Sequence, residues 1–231
     1  MNESIRHEEH IVSSWHTNAA PWTQAVRDHA IDSRRLVTDQ AVIDAVLARS
    51  PRLALDVGCG EGWLARALAG AGVTVLGVDV VPELVDAARQ AGGGSFQVAS
   101  YADLLDASES GAWRRVDVAI CNFALFGEQS VAALFRAVPR LLTPTGAFIV
   151  QTLHPLMACG DAPYRDGWRK GSWQGFSDAF CDPAPWYFRT LESWVQLHVD
   201  NGLRLLEVRE PLHPITGRPA SVIFIAAAGG G

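Results

Sequence analysis

The chain has 231 residues, 48% of them apolar and 19% charged, and carries a formal net charge of −6. That is enough apolar material for one substantial core in a single domain. The acidic balance, with no basic cluster beyond Arg34-Arg35, Arg114-Arg115 and Arg169-Lys170, argues against a nucleic acid partner, and neither a secretory leader nor an apolar run of membrane-spanning length is present.

Residues 1–50 read as mainly helical. Ile11, Val12 and Trp15 lie at helical spacing, and Asp39 to Ala48 forms a second apolar-periodic run that Pro51 stops. Between them Ser14 to Trp22 reads as a polar turn flanked by Trp15 and Trp22, an arrangement that plain helix packing would also explain.

Leu53 to Val57 reads as a buried strand, and Leu64, Ala65, Leu68 and Ala69 recur at helical spacing just beyond it. The tight turn between them holds Gly58, Cys59, Gly60, Glu61 and Gly62. Glycines at alternate positions let backbone approach a ligand closely, and the helix that follows points free N–H groups at it. The spacing is G-x-G-x-G, with Trp63 where a dinucleotide fingerprint needs its third glycine. Asp56 and Glu61 would repel a pyrophosphate but can receive an ammonium or a bridging water.

Residues 53–62, Leu-Ala-Leu-Asp-Val-Gly-Cys-Gly-Glu-Gly, resemble the first motif of the class I S-adenosylmethionine-dependent methyltransferases. The resemblance implies a Rossmann-like methyltransferase fold. This is an α/β three-layer sandwich with a seven-stranded, mostly parallel sheet whose last strand is antiparallel. It also implies S-adenosylmethionine as cofactor and S-adenosylhomocysteine as product, with Asp56, Gly58, Cys59 and Gly60 around the donor. N-terminal helices in this family often fold over the cofactor. Trp15 could then face the sulfonium, since aromatic faces attract cations. Arg34 could pair with the donor carboxylate, its alternative being a surface salt bridge.

Val73 to Val80 is the second strand, β-branched and continuous. It ends at Asp79, about twenty residues past the loop, where an acidic side chain accepts hydrogen bonds from a ribose. A helix cap is the plainer role for that aspartate, weakened because Val80 and Val81 intervene before Pro82. Val80 is expected against the adenine. A helix from Pro82 ends at Gly92-Gly93-Gly94, and Ser95 to Ala99 is the third strand. The resemblance puts Ser100 or Asp103, with Tyr101 beside them, at the adenine edge. Val116 to Cys121 is the fourth strand, followed by Asn122, Phe123 and Ala124, which the resemblance places at the transfer site. These are not the Asn-Pro-Pro-Tyr-like residues used on DNA bases or glutamine amides. A helix from Ser130, its expected N-cap, to Leu142 leads through Pro144-Thr145-Gly146 into a fifth strand ending at Leu153.

His154-Pro155 follows that strand, and residues 156–190 lose all periodicity. They carry Trp168, Trp173, Phe176, Phe180, Trp186, Tyr187 and Phe188 among glycines, prolines and charges. A substrate lid and a loop with a small core of its own are both consistent with that composition. Cys59, Cys121, Cys159 and Cys181 lie far apart, so they read as reduced thiols of a cytoplasmic protein, and the spacing does not support a zinc site from His154, Cys159, Asp161 and Cys181. No metal is expected. Thr190 caps a helix over 191–201, and two closing strands, 203–208 and 221–228, flank a connection holding His213.

The expected layout is one domain: a helical N-terminal lid (1–50), a cofactor core (51–153), an aromatic insertion (154–190) and a closing unit (191–231). The small-molecule branch that includes ubiquinone and menaquinone methyltransferases is the nearest likeness. It implies a small-molecule acceptor, an aromatic or quinone-like one among the options, and leaves oligomeric state open. Methyl transfer needs in-line alignment, plus a base if the acceptor must lose a proton. His154 and His213 are the candidates, although each precedes a proline and would serve as well in a turn. The rival readings are a donor-binding protein without catalysis and a nicotinamide-dependent oxidoreductase.

Overall fold

A computed structural model describes residues 3–229. Seven strands form one sheet: β1 (Leu53–Val57), β2 (Thr74–Asp79), β3 (Ser95–Val98), β4 (Val116–Asn122), β5 (Leu142–Thr152), β8 (Leu203–Arg209) and β9 (Val222–Ala228). Their order is β3-β2-β1-β4-β5-β9-β8. β1 to β5 pair in parallel and β9 runs antiparallel to both of its neighbours. The chain winds one way from β1 and resumes on its other side at β4, so the strand order reverses between them. Ligands of such sheets sit outside the strand ends at that reversal.

Alternation along the central strands divides the core in two. Phe148 and Val150 of β5, with Phe224 of β9, face α5 (Tyr101–Ser110), α6 (Gln129–Leu141) and α8 (Leu191–Asp200). Ala147, Ile149 and Ile225 face α2 (Asp39–Leu47), α3 (Trp63–Gly70) and α4 (Pro82–Ala91). Each fully buried Phe or Leu removes enough apolar surface from water to stabilise the fold by about 2 kcal/mol. The seven-stranded sandwich with an antiparallel last strand is therefore as expected.

Four local details differ from the sequence reading. α1 (Glu3–Arg27) continues unbroken through Ser14 to Trp22, because Asn18, Trp15 and Trp22 all find tertiary partners on one side of the helix. A π-helical turn, Arg34–Thr38, then joins it to α2. Ser100 opens α5, which periodicity does not reveal, through a capping box with Asp103. α6 starts one residue before Ser130. Its first N–H groups are capped by Glu8 of α1, whose Oε1 accepts from Glu128 and Gln129 at 2.8 Å each. Thr190 does cap α8, accepting from the Ser193 N–H.

The stretch after β5 forms a short helical turn, α7 (Pro155–Ala158), and a two-stranded ribbon of β6 (Gly167–Arg169) and β7 (Trp186–Phe188). The loop between those strands folds against α1. Trp15 packs on Trp173 and Phe126, and Trp22 packs on Trp15 and Phe176. Asn18 fastens the contact, donating to the Cys181 carbonyl at 2.8 Å and accepting from the Cys181 N–H at 3.0 Å. Ser14 donates to the Asp182 carbonyl, and His10 meets the Asp182 carboxylate.

Candidate active site

The glycine loop is built by β1 ending next to β2. Gly58 and Cys59 both donate to the Val78 carbonyl, at 2.8 and 2.9 Å. Gly58 sits at φ +75°, and a Cβ there would lie 2.4 Å from the Ala124 Cβ, so the position requires glycine. Asp79 closes the loop: its Oδ2 accepts from Gly60 N–H at 2.9 Å and its Oδ1 from Val81 N–H at 3.0 Å. Each carboxylate oxygen keeps a further lone pair for a hydroxyl. Val80 packs beside Trp15 and Trp22 at the foot of α1.

Cys59 contributes backbone only. Its thiol is buried beneath the loop, where burial and then the charges of Asp56 and Asp79 push its pKa far up. Glu61 is also withdrawn from any ligand. It is fully buried and held by Arg66 at 2.6 Å and Arg27 at 3.2 Å, so the expected ammonium contact is not available there.

Two polar orphans of opposite sign flank this loop. Asp56, 2% exposed at the end of β1, has an Oδ2 with no partner; burial, then the charge of Asp79, pushes its pKa up to about 7. Arg34 lies with its guanidinium 4.6 Å from the Trp63 ring centre and 5.8 Å from that of Trp22, and donates through Nε to Asp39. Its Nη2 is buried without a partner. The ion pair of the plainer reading is present, with Asp39 at 2.9 Å, but it is largely buried rather than on the surface. Each unsatisfied buried polar atom calls for a physical explanation. An ammonium and a carboxylate on one small molecule would satisfy both, and the amino-acid end of S-adenosylmethionine carries that pair.

At the end of β4, Asn122 Oδ1 accepts from Gln151 Nε2 at 2.7 Å, and the same nitrogen donates to the Thr38 carbonyl at 2.9 Å. Ser221 donates to Gln151 Oε1. Phe123 then adopts φ +51°, an uncommon conformation for a bulky side chain, held by its N–H donating to the Gln151 carbonyl at 2.8 Å. The Tyr101 hydroxyl donates to the Ala124 carbonyl at 2.8 Å, and burial raises its pKa well above the phenol value. It supports the loop that Asn122, Phe123 and Ala124 form. Ser100 and Asp103, expected at the adenine edge, form a helix cap in which the Ser100 hydroxyl and N–H both bond Asp103.

Beyond Ala124 a small cavity opens between the ends of β4 and β5, lined by Leu125, Phe126, Thr152, Leu153, Trp186 and Tyr187 among others. Of the two candidate histidines, His213 closes a turn: its N–H donates to Arg218 and its Nδ1 accepts from Ile215 N–H. That turn accounts for it without chemistry. His154 is 2% exposed, and its Nε2 lies 2.7 Å from Glu210 Oε1. Cys159 donates to the Ala162 carbonyl, so the conceivable zinc set is not assembled. No group of three or more potential metal ligands occurs among the described residues.

Gln151, Glu8 and Glu210 escaped the sequence reading. Gln151 left a signal, a lone amide inside an apolar strand. The other two left none, since their partners lie on distant elements.

The sheet order and the glycine loop closed by Asp79 are similar to those of the Rossmann-like methyltransferase fold. Residues 55–150 match the family described as a methyltransferase domain. A ubiquinone biosynthesis O-methyltransferase of Xanthomonas oryzae pv. oryzae is 36% identical over 131 residues, 54% of this chain and 52% of that protein. One from Xylella fastidiosa is 35% identical over 109 residues, 45% and 43% of the two chains. The chain thus spans about half the length of the curated relatives it matches. Among solved structures, an S-adenosylmethionine-dependent methyltransferase from Mesorhizobium loti matches with 25% identity, TM-score 0.60, over 79% of this chain and 95% of that one. The 1,6-didemethyltoxoflavin-N1-methyltransferase of Burkholderia thailandensis, solved with its acceptor and S-adenosylhomocysteine, has 17% identity and TM-score 0.68 over 100% and 92%. Among the described residues no helix is long and apolar enough to cross a membrane.

Proposed function

We propose that this chain transfers a methyl group from S-adenosylmethionine to a small, largely apolar acceptor. The carrying observation is the pair of buried orphans, Asp56 Oδ2 and Arg34 Nη2, on either side of a glycine loop closed by Asp79. Asp56 would receive the donor's ammonium, Arg34 its carboxylate and Asp79 its ribose hydroxyls, with Val80 against the base and Trp15 on the lid side. The bound donor supplies an electrophilic methyl on a sulfonium. The protein then has to align the acceptor and exclude water. α1 and the aromatic loop before β7, fastened through Asn18, serve as the cover. The O-methyltransferase names of the curated relatives and the bound heteroaromatic acceptor of the Burkholderia enzyme support a small-molecule acceptor. Four unpaired cysteines support the cytoplasmic placement.

The test is calorimetric titration with S-adenosylmethionine, S-adenosylhomocysteine and NADH in parallel, on wild type and Asp79→Ala. The adenosyl ligands alone are expected to bind, and the variant should lose about 1–3 kcal/mol, roughly 5- to 150-fold in affinity, with the lost hydrogen bonds. NADH binding in their place would reinstate the oxidoreductase. Donor binding without transfer of labelled methyl to any acceptor would leave a binding protein.

A further inference from the structure

The fold buries two arginines and treats them differently. Arg34 is paired with Asp39. Arg189, just after β7 and only 6% exposed, forms no ion pair among the described residues. Its Nη1 donates to the Gly127 carbonyl at 2.9 Å and its Nη2 to the Glu128 carbonyl at 3.0 Å. The guanidinium lies 4.8 Å from the ring centre of Tyr187 and 5.2 Å from that of Trp194. The carboxylates whose charge reaches it are committed elsewhere: Glu8 to the first N–H groups of α6, Asp166 to the Thr190 N–H and Glu128 to the Ser4 hydroxyl. Carbonyl dipoles offset only part of the cost of burying a cation, and burial pulls the pKa of Arg189 below its ordinary value. Arg189 lines the cavity between the ends of β4 and β5, as do Tyr187 and Trp194. Two of its five N–H groups are taken by the carbonyls. Its Nε–H bonds nothing among the described residues and, unlike the Nε of Arg169, is not enclosed by protein, so it borders open space. A second unpaired guanidinium, that of Arg169, lies 5.0 Å from the ring centre of Phe188, another cavity residue, and meets only the Pro163 and Arg165 carbonyls. Positive charge without a counter-charge thus gathers around a largely apolar cavity.

We propose that the acceptor is an organic anion, a carboxylate borne on a flat apolar body, and that Arg189 binds its charged end. This rests on the methyltransferase reading above and names the acceptor class of the same site. The acceptor's carboxylate supplies the counter-charge that the fold leaves out, and the Nε–H gives it a charge-assisted hydrogen bond. The rings of Trp186, Tyr187 and Trp194 suit the flat body. Attraction between opposite charges grows where water is excluded, so the gain is larger here than at the surface. A neutral molecule of the same shape fills the cavity but leaves the cation uncompensated, and that difference is the source of the selectivity. Arg189 is a binding residue in this arrangement and takes no part in making or breaking a bond.

The experiment uses the full chain in complex with S-adenosylhomocysteine, with benzoate and benzamide as probes of one shape and two charges. Calorimetry is expected to find benzoate bound at least about 10-fold more tightly than benzamide. In NMR of the same complex, the Arg189 Nε–H resonance should move when benzoate is added and stay in place with benzamide. Arg189→Gln should bring the two probes within about twofold of each other and leave S-adenosylhomocysteine affinity within about twofold of wild type. Arg189→Lys keeps the charge and should keep part of the preference. Arg189 also holds two carbonyls at the head of α6, so the wild-type comparison and the Nε–H resonance decide the matter even where the glutamine variant is unstable. With S-adenosylhomocysteine bound, equal affinity for the probes, no binding of benzoate, or an Nε–H resonance that benzoate does not move would each overturn the proposal. So would a benzoate preference that survives Arg189→Gln. Failure to bind S-adenosylhomocysteine at all would instead strike the underlying methyltransferase reading.

Discussion

The two walls of the site are held by contacts of very different reach. The glycine-loop wall closes on itself within 19 residues, from Gly60 to Asp79. The aromatic wall is fastened by hydrogen bonds between residues 163 and 168 positions apart, from Asn18 to Cys181 and from Ser14 to Asp182. The first wall is mostly backbone in fixed geometry, while the second is side chains packed ring on ring. On the function proposed above, a rigid cradle paired with a separately fastened cover would let the donor site stay intact while the cover opens and closes.

Substitutions in the two walls should therefore fail differently. The largest effect is expected from Gly58→Ala, whose new methyl would drive Ala124 aside from a distance of 2.4 Å at φ +75°. S-adenosylhomocysteine affinity should fall by more than about 100-fold, given strain costs of about 1–3 kcal/mol at such positions plus a displaced transfer loop. Calorimetry that finds binding intact would mean the cradle is not rigid. Asn18→Ala comes next. It removes both hydrogen bonds to Cys181 and should leave equilibrium donor affinity within a few-fold. Its cost of about 1–3 kcal/mol should appear as faster donor release in stopped-flow tryptophan fluorescence and faster proteolysis of the loop before β7. Unchanged release would separate the cover from the donor site.

The smallest effect concerns pH and belongs to the cradle alone. Asp56 holds its proton more tightly folded, at about 7, than an unfolded aspartate does at about 4. Between those values the native state binds more protons than the unfolded chain. The ligand-free protein should therefore lose stability as pH rises through that window. Donor affinity should move the other way, rising as Asp56 ionises to meet the ammonium. Asp56→Asn should flatten both trends, as read by thermal melting and calorimetry at pH 5.5 and 8, conditions chosen at about either side of the shifted value. A wild-type donor affinity that does not change with pH would remove Asp56 from the ammonium site.

The same difference in reach explains what could be read from the sequence. Gly58, Gly60 and Asp79 were legible because their partners are local: a strand must turn, and an acid must meet the turn. The central strands were legible from their unbroken apolar runs. Ser100 and Asp103 were not legible as a helix cap because capping residues and ligand-binding residues are drawn from the same polar set. Nothing within 120 positions of Glu8 indicates that it caps α6, since the N–H groups that donate to it begin at Glu128. The setting of Arg34 between Trp22 and Trp63 was not legible, because it depends on a π-helical turn that periodicity does not register.

The reach of α1 also bears on how the chain is made. Every contact that fastens this helix to the cover and to α6 joins it to residues synthesised much later, Glu128 to Ser130 and then Cys181 to Asp182. At roughly 5–20 residues per second, the interval is on the order of ten to thirty seconds. During that time Trp15 and Trp22 have no insertion rings to pack against. The helix can dock early on α4, through His16 to Glu83 and Arg27 to the Ala87 carbonyl, but a nascent chain must keep those two tryptophans from other partners until the loop before β7 emerges.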